Sequence, residues 1–195
     1  MNFSENIILE NDRVRLAPLS LEHMEALLPI SIAYPDLLRH SPSSFGAEVL
    51  FRENVDQAIQ ARENKQRYSF VIFDKKTSRY AGSTSYGNIS MKDLRLEIGW
   101  TWLDKAAQGT GLNKQCKFLL LSYAFNKLGM QRVEFKADSR NVQSRKAMEK
   151  IGAVYEGMLR SHTLMRDGHR RDTVYFSILR SEWGSIANNI FGEIK

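Results

Sequence analysis

The densest chemistry in the chain lies between Glu97 and Asn113, in the run Glu-Ile-Gly-Trp-Thr-Trp-Leu-Asp-Lys-Ala-Ala-Gln-Gly-Thr-Gly-Leu-Asn. Alternating apolar positions give way to a loop with two glycines, Gly109 and Gly111, and an apolar stripe of helical period follows. A helix N-terminus carries main-chain N–H groups with no intrahelical acceptor, and glycines let an anion come close to the backbone. The expected guest is therefore a phosphate or pyrophosphate. A Walker-type loop would need Gly-Lys-Ser/Thr where this chain reads Gly111-Leu112-Asn113, and a dinucleotide fingerprint would need a third glycine where Lys114 stands. For such a loop taken alone, two glycines that only turn the chain are the plainer alternative.

Other reactive side chains are sparse. Cys116 is the single cysteine, which excludes an intramolecular disulfide and a thiolate metal cluster; it falls on the apolar stripe of a helix and reads as packing. No His/Glu pair has metal-ligand spacing, so no metal is expected. His162, His169, Arg160, Arg166, Arg170 and Arg171 gather along one late hairpin, an exposed basic edge or one lip of a cleft. The 28 Lys and Arg against 22 Asp and Glu leave a charge of +6, but these residues are scattered with no basic-aromatic array, so no nucleic-acid partner is expected. No apolar run is long enough to span a bilayer, and Met1 to Glu10 lacks the basic start and apolar core of a secretion signal. A cytoplasmic protein without a membrane partner is expected.

The elements that must position the glycine loop follow from periodicity. With 195 residues and 43% hydrophobic content, one domain over 1–195 with a single sizeable core is the expectation, and a disordered chain is excluded. Arg13 to Pro18 reads as a strand, and Ser20 caps a helix over Leu21 to Ile32. A second helix runs from Glu48 to about Asn64 with Val49, Phe51 (or Arg52), Val55 and Ile59 on its buried side. Tyr68 to Asp74, Tyr80 to Ile89 and Leu94 to Leu103 form a meander. In its last strand, strict alternation predicts Leu96, Ile98, Trp100 and Trp102 on one face and Arg95, Glu97, Gly99 and Thr101 on the other. A helix from Leu112 to Leu128, a strand over Arg132 to Ala137 and a helix over Asn141 to Ile151 come next. A hairpin of Val154 to Leu164 with Arg171 to Leu179 and a helix over Ser181 to Phe191 complete the chain. This is an α/β (α+β) pattern, a mixed sheet with helices packed against it.

In that setting Gln108-Gly-Thr-Gly-Leu-Asn113 resembles the Gln/Arg-x-x-Gly-x-Gly/Ala pyrophosphate loop of the GNAT superfamily of N-acetyltransferases. The stretch Asn141 to Gly152 is similar to that family's second motif, in which an Asn opens the helix near the cofactor and a Lys-x-Gly ends it. Arg13-Val-Arg-Leu and Glu156-Gly-Met-Leu-Arg look like the branch named for ribosomal-protein N-terminal-alanine acetyltransferases. The resemblance implies a mostly antiparallel sheet with strands splayed at the cofactor site. It also implies acetyl-CoA as co-substrate, with its pyrophosphate on the amides of Gln108, Gly109, Thr110, Gly111, Leu112 and Asn113. The pantetheine arm would run along Trp100, Thr101, Trp102 and Leu103, Asn141 would hold the pantetheine or its acetyl-thioester end, and Ser144 would reach the cofactor one turn later. Lys114, Lys117, Arg145 and Lys150 are further candidates for the phosphates. A homodimer, with Trp183 to Phe191 as a contact, follows from family habit.

The chain departs from that pattern twice. Asn113 stands where the loop motif ends in Gly or Ala. Met148 stands where many members carry a Tyr that protonates the leaving thiolate, which leaves Ser144, Tyr175, a water or unaided departure. A module that binds CoA without turnover is the alternative these departures keep open. Acetyl transfer needs a neutral amine, a protein N-terminus or a small molecule. Deprotonation at pH 7 costs about 1 kcal/mol for an α-amine and about 4.6 kcal/mol for a free lysine, so a modest base suffices for the former. Glu97, in the strand just before the loop, is the candidate base, with a salt-bridge partner of Arg95 as its structural alternative. No acetyl-enzyme is required.

Overall fold

The computed structural model describes residues 1–194. Among these, the strands are β1 (Leu9–Glu10), β2 (Val14–Pro18), β3 (Arg67–Asp74), β4 (Arg79–Ser90), β5 (Arg95–Leu103), β6 (Arg132–Asp138), β7 (Val154–Leu164) and β8 (Arg170–Leu179). They form one sheet in the order β1-β2-β3-β4-β5-β6-β8-β7. Every neighbouring pair is antiparallel except β5 with β6. That pair is parallel because the helix Leu112–Ser122 crosses over between the two strands. The α/β class with a mostly antiparallel sheet agrees with expectation.

Helices cover both faces. On one, α1 (Met24–Ala33) and α2 (Glu48–Glu63) bury Leu27, Phe51 and Val55 against Leu19 and Val71. On the other, α3 (Leu112–Ser122) and α5 (Arg180–Phe191) meet Tyr68, Phe70, Tyr86, Leu96, Ile98 and Val133 through Leu112, Cys116, Leu120 and Phe191. The α4 helix (Val142–Lys150) lies beside β6 and adds Met148 to this second core.

Several local details differ from expectation. The first helix opens as a single 3₁₀ turn over Leu21–His23, with Ser20 at its N-cap as expected and the Ser20 N–H donating to His23 Nδ1 at 3.1 Å. In α2, Val49 is 61% exposed, and the buried stripe is Phe51, Val55 and Ala58, the i, i+4, i+7 set. Ile59 is half-buried at its margin. The helix after the glycine loop widens into a π turn over Tyr123–Lys127 before Gly129 ends it. Of the segment Trp183 to Phe191 expected at a subunit contact, the end residues Trp183 and Phe191 are buried against Phe118, while Gly184, Ser185, Asn188 and Asn189 are exposed.

The most consequential departure is in β5. Ser83 pairs with Trp102 and Ser85 with Gly99, so Trp100 and Thr101 together oppose the single residue Thr84. This is a β-bulge, with Trp100 in the left-handed region at φ +50°. The extra residue reverses the alternation beyond it. Ile98 faces α3, but Trp102 lies edge-on to Phe45 and Phe51 on the α2 face. Thr101, expected beside Glu97, instead meets Lys117 of α3.

Candidate active site

The parallel pairing of β5 with β6 ends after three rungs, Arg95–Arg132, Leu96–Val133 and Glu97–Glu134. From there β5 stays with β4 while Phe135 to Asp138 stay with β8, and the sheet forks. A cleft of about 530 Å³ occupies the fork. Glu97, Trp100, Thr101, Trp102, Leu103, Gln108, Asn113, Asn141 and Ser144 all line it. The remaining four expected site residues lie elsewhere. Gly109, Thr110 and Gly111 are exposed at the surface, and the Leu112 side chain is wholly buried in the core, which leaves only its main chain to meet a ligand.

The loop is built for an anion at its backbone. Gly109 and Gly111 sit at φ +75° and +87°, and a Cβ at either would meet nothing within 4 Å. The need for glycine there is conformational, and the space above each remains open. Gly111 is the N-cap of α3 and offers no side chain to its first N–H groups. Gln108 ties the loop in place: its Nε2 donates to the Leu103 carbonyl at 3.0 Å and its Oε1 accepts from Gln143 Nε2 at 3.0 Å. Thr110 Oγ1 donates to the Ala107 carbonyl. Asn113 Oδ1 is buried without a partner. Across the fork, Asn141 Oδ1 accepts from the Ser144 N–H at 3.0 Å and caps α4, so the amide nitrogen of Asn141 and the hydroxyl of Ser144 are left for other contacts. Met148 is buried among these groups and has no proton to give.

Glu97 is 6% exposed. Its Oε2 accepts from Asn88 Nδ2 at 2.7 Å and pairs with Lys136 Nζ at 2.8 Å. Arg95, the partner weighed from sequence, pairs instead with Asp93. On the opposite side of the bulge Lys117 is buried, its Nζ donating to Thr101 Oγ1 at 2.8 Å with Thr84 Oγ1 at 3.5 Å. Burial pulls its pKa down to about 8, against a smaller opposing influence of Cys116. The Cys116 thiol is pushed by burial up to about 12, which makes it inert at neutral pH.

The other phosphate candidates are engaged or peripheral. Lys114 Nζ lies 5.9 Å over the Phe191 ring, Arg145 Nη1 donates to the Ser139 carbonyl, and Lys150 is exposed at the end of α4. Tyr175 is stacked by Lys136 and edge-on to His162. Sequence reasoning missed Lys136, Asn88 and Arg67. Lys136 was legible in principle, because the alternation Arg132, Glu134, Lys136 puts three charged residues on one face of β6. Asn88 and Arg67 reach the cleft only through strand register, for which no local signal exists.

A forked mixed sheet with a glycine-turned helix N-terminus beside the fork is the arrangement that the resemblance to GNAT acetyltransferases implied. Residues 13–154 match the family described as Acetyltransferase (GNAT) domain. The protein YdaF of Bacillus subtilis strain 168, which carries the provisional name of a ribosomal N-acetyltransferase, is 30% identical over 157 residues, covering 76% of this chain and 85% of its own length. A crystal structure of a GCN5-related N-acetyltransferase from Brucella melitensis superposes with a TM-score of 0.89 at 26% identity, over 96% of this chain and 85% of that one. An acetyltransferase from Salmonella typhimurium, titled as modifying the N-terminal serine of ribosomal protein L7/L12, shares the fold at a TM-score of 0.77 and 20% identity, over 89% and 99% of the two chains. The chain belongs to the GNAT acetyltransferase family. It is an N-acetyltransferase.

Proposed function

We propose that this enzyme moves an acetyl group from acetyl-CoA to a primary amine, on a protein N-terminus or a small molecule, by direct attack within a ternary complex. The observation that carries the reading is the fork, which puts a buried carboxylate, Glu97, and an open length of β5 main chain in one cleft with Gln108 and Asn113, the two ends of the glycine loop. Acetyl-CoA supplies the acetyl group already activated as a thioester. The residues present suit it: open backbone at Gly109 and Gly111, an orphaned acceptor at Asn113 Oδ1, and unpaired β5 backbone for an amide-bearing arm.

Main-chain amides from Gln108 to Asn113 hold the pyrophosphate, and the backbone of Trp100 to Leu103 aligns the arm. Asn141 orients its reactive end through the amide nitrogen that capping leaves free. Glu97 accepts a proton from the acceptor's ammonium, directly or through water, while Lys136 and Asn88 fix the carboxylate's direction. Ser144 holds the proton for the departing thiol, since Met148 cannot. Cys116 is too deeply buried and too weakly acidic to carry an acetyl group. The name given to YdaF, a ribosomal N-acetyltransferase, favours an amine of the ribosome as acceptor. One domain working in the cytoplasm, where acetyl-CoA and such amines meet, suits the reading. For a homodimer, the edge strand β7 exposes Val154, Tyr155, Met158, Leu159 and Leu164, apolar surface of the kind Trp183 and Phe191 do not offer.

The test is thiol release from acetyl-CoA with a panel of amines, on the native chain and on Glu97→Gln. The variant is expected to bind CoA as the native chain does and to lose at least about 100-fold in kcat, the low end for a positioned general base. Full turnover by Glu97→Gln from pH 6 to 9 would remove Glu97 from the mechanism, and no release with any amine would leave CoA binding alone.

A further inference from the structure

Four cations line the cleft, Arg67, Lys117, Lys136 and Arg171, against two carboxylates, Glu97 and Asp138. Both carboxylates are already answered. Glu97 is held by Lys136 at 2.8 Å, and Asp138, with a fully buried side chain, is held by Arg140 at 2.8 Å. Lys117 is bonded to threonine hydroxyls, and Arg171 donates to the His40 carbonyl and to Thr173 Oγ1. Arg67 is different. It forms no ion pair among the described residues, and its Nε is buried with no hydrogen-bond partner. What fixes it is a ring: its guanidinium stacks 5.1 Å from the Trp100 centroid, over the bulge. A Cβ on Gly87 would come within 2.3 Å of that indole, so the absence of a side chain at Gly87 is what lets Trp100 lie flat there and hold Arg67 in place.

Register fixes where this guanidinium stands. Arg67 pairs with Gly87, and Gly87 pairs with Glu97, so the three share one row and one face of the sheet. Arg67 is thus two strands from Glu97, with backbones roughly 10 Å apart at the usual strand spacing. A buried N–H left unpaired is costly, more so when charged, and a planar guanidinium held over an aromatic ring can take an anion through two parallel hydrogen bonds. With no protein anion at Arg67, the complementary group has to come from outside.

We propose that the acceptor amine carries an anionic group, a carboxylate or a phosphate, several bonds away from its nitrogen, and that Arg67 is the residue that reads it. The inference rests on the acetyltransfer reading above, in which the amine sits at Glu97. It narrows the substrate class to amines whose negative charge is set several bonds from the nitrogen, as the two-strand separation of Arg67 from Glu97 requires. An N-terminal peptide with an acidic second residue and an ω-amino acid both meet that condition, and an α-amino acid, with its carboxylate on the neighbouring carbon, does not.

Matched probes test it. Alanyl-aspartate amide is compared with alanyl-asparagine amide, 4-aminobutyrate with its amide, and phosphoethanolamine with ethanolamine, each by thiol release and by calorimetric titration of the CoA-loaded protein. The expected result is a kcat/KM at least tenfold higher for the acidic member of one or more pairs, expressed mainly in KM and reduced by salt. Which pair responds separates a peptide carboxylate, a free carboxylate and a phosphate. Arg67→Gln, checked for folding by thermal unfolding, is expected to bring the acidic probe down to the level of its neutral partner. Equal treatment of all pairs by the native chain, or a preference that survives Arg67→Gln, overturns the inference. Calorimetry reads anion binding whether or not thiol is released. Arg67-dependent binding without release would therefore uphold Arg67 as an anion site while refuting acetyltransfer, and release without preference would do the reverse.

Discussion

Lys117 is a lysine enclosed beneath the β5 bulge, with two threonine hydroxyls and a thiol for company and no carboxylate within reach. Burial holds its pKa at about 8, below the ordinary 10.5. Between those values the unfolded chain binds more protons than the folded one, so stability rises with pH through that window. Below pH 8 the folded state bears the full cost of the buried charge, about 3 kcal/mol as an upper figure. Denaturant titrations of the native chain from pH 7 to 10.5 should show this gain relative to Lys117→Met, whose stability lacks that contribution; parallel curves for the two would contradict it. Sequence made Lys117 one of four candidates for phosphate, and it lines the cleft together with Asn113. What the sequence hid was the bulge, which brings the Thr101 hydroxyl down onto the ammonium.

Element identity and most boundaries were legible: a period of 2 persists in β6 and one of 3.6 in α3, where one side is dry and the other wet, while β3, buried on both faces like β4, reads from its aromatic and β-branched residues. Errors fell where a period is broken or nearly balanced. β5 fails through one inserted residue, and nothing in Gly-Trp-Thr-Trp marks which position will bulge. α2 fails because Val49 is apolar, yet it sits where the helix begins, two residues before Phe51 and so on the face away from the stripe. The corrected stripe has a measurable consequence. Phe51, 1% exposed and edge-on to Phe45 and Trp102, should cost about 3–5 kcal/mol when cut to alanine, whereas Val49→Ala should stay within about 0.5 kcal/mol. Chemical denaturation of the two variants checks both figures, and comparable losses would restore the original helix face.

At the scale of the whole molecule, order along the chain was readable but order across the sheet was not. Local pattern does not reveal that β8 inserts between β6 and β7, and the parting of β5 from β6 came from resemblance to a family and from no property of the strands themselves. A ligand that fills the fork binds the folded chain alone. At 100 times its Kd, CoA should therefore add about 2.7 kcal/mol and raise the melting temperature by roughly 5–11 °C for a chain of this size, read by calorimetry or dye fluorescence. An unchanged melting temperature would leave the glycine loop without its guest. The fork also has a mechanical side. Five strands on one flank and three on the other are stitched together by only three rungs, so bending of the free protein concentrates along that seam. A guest laid into it works as a splint, and the enzyme should be at its stiffest when it is ready to react.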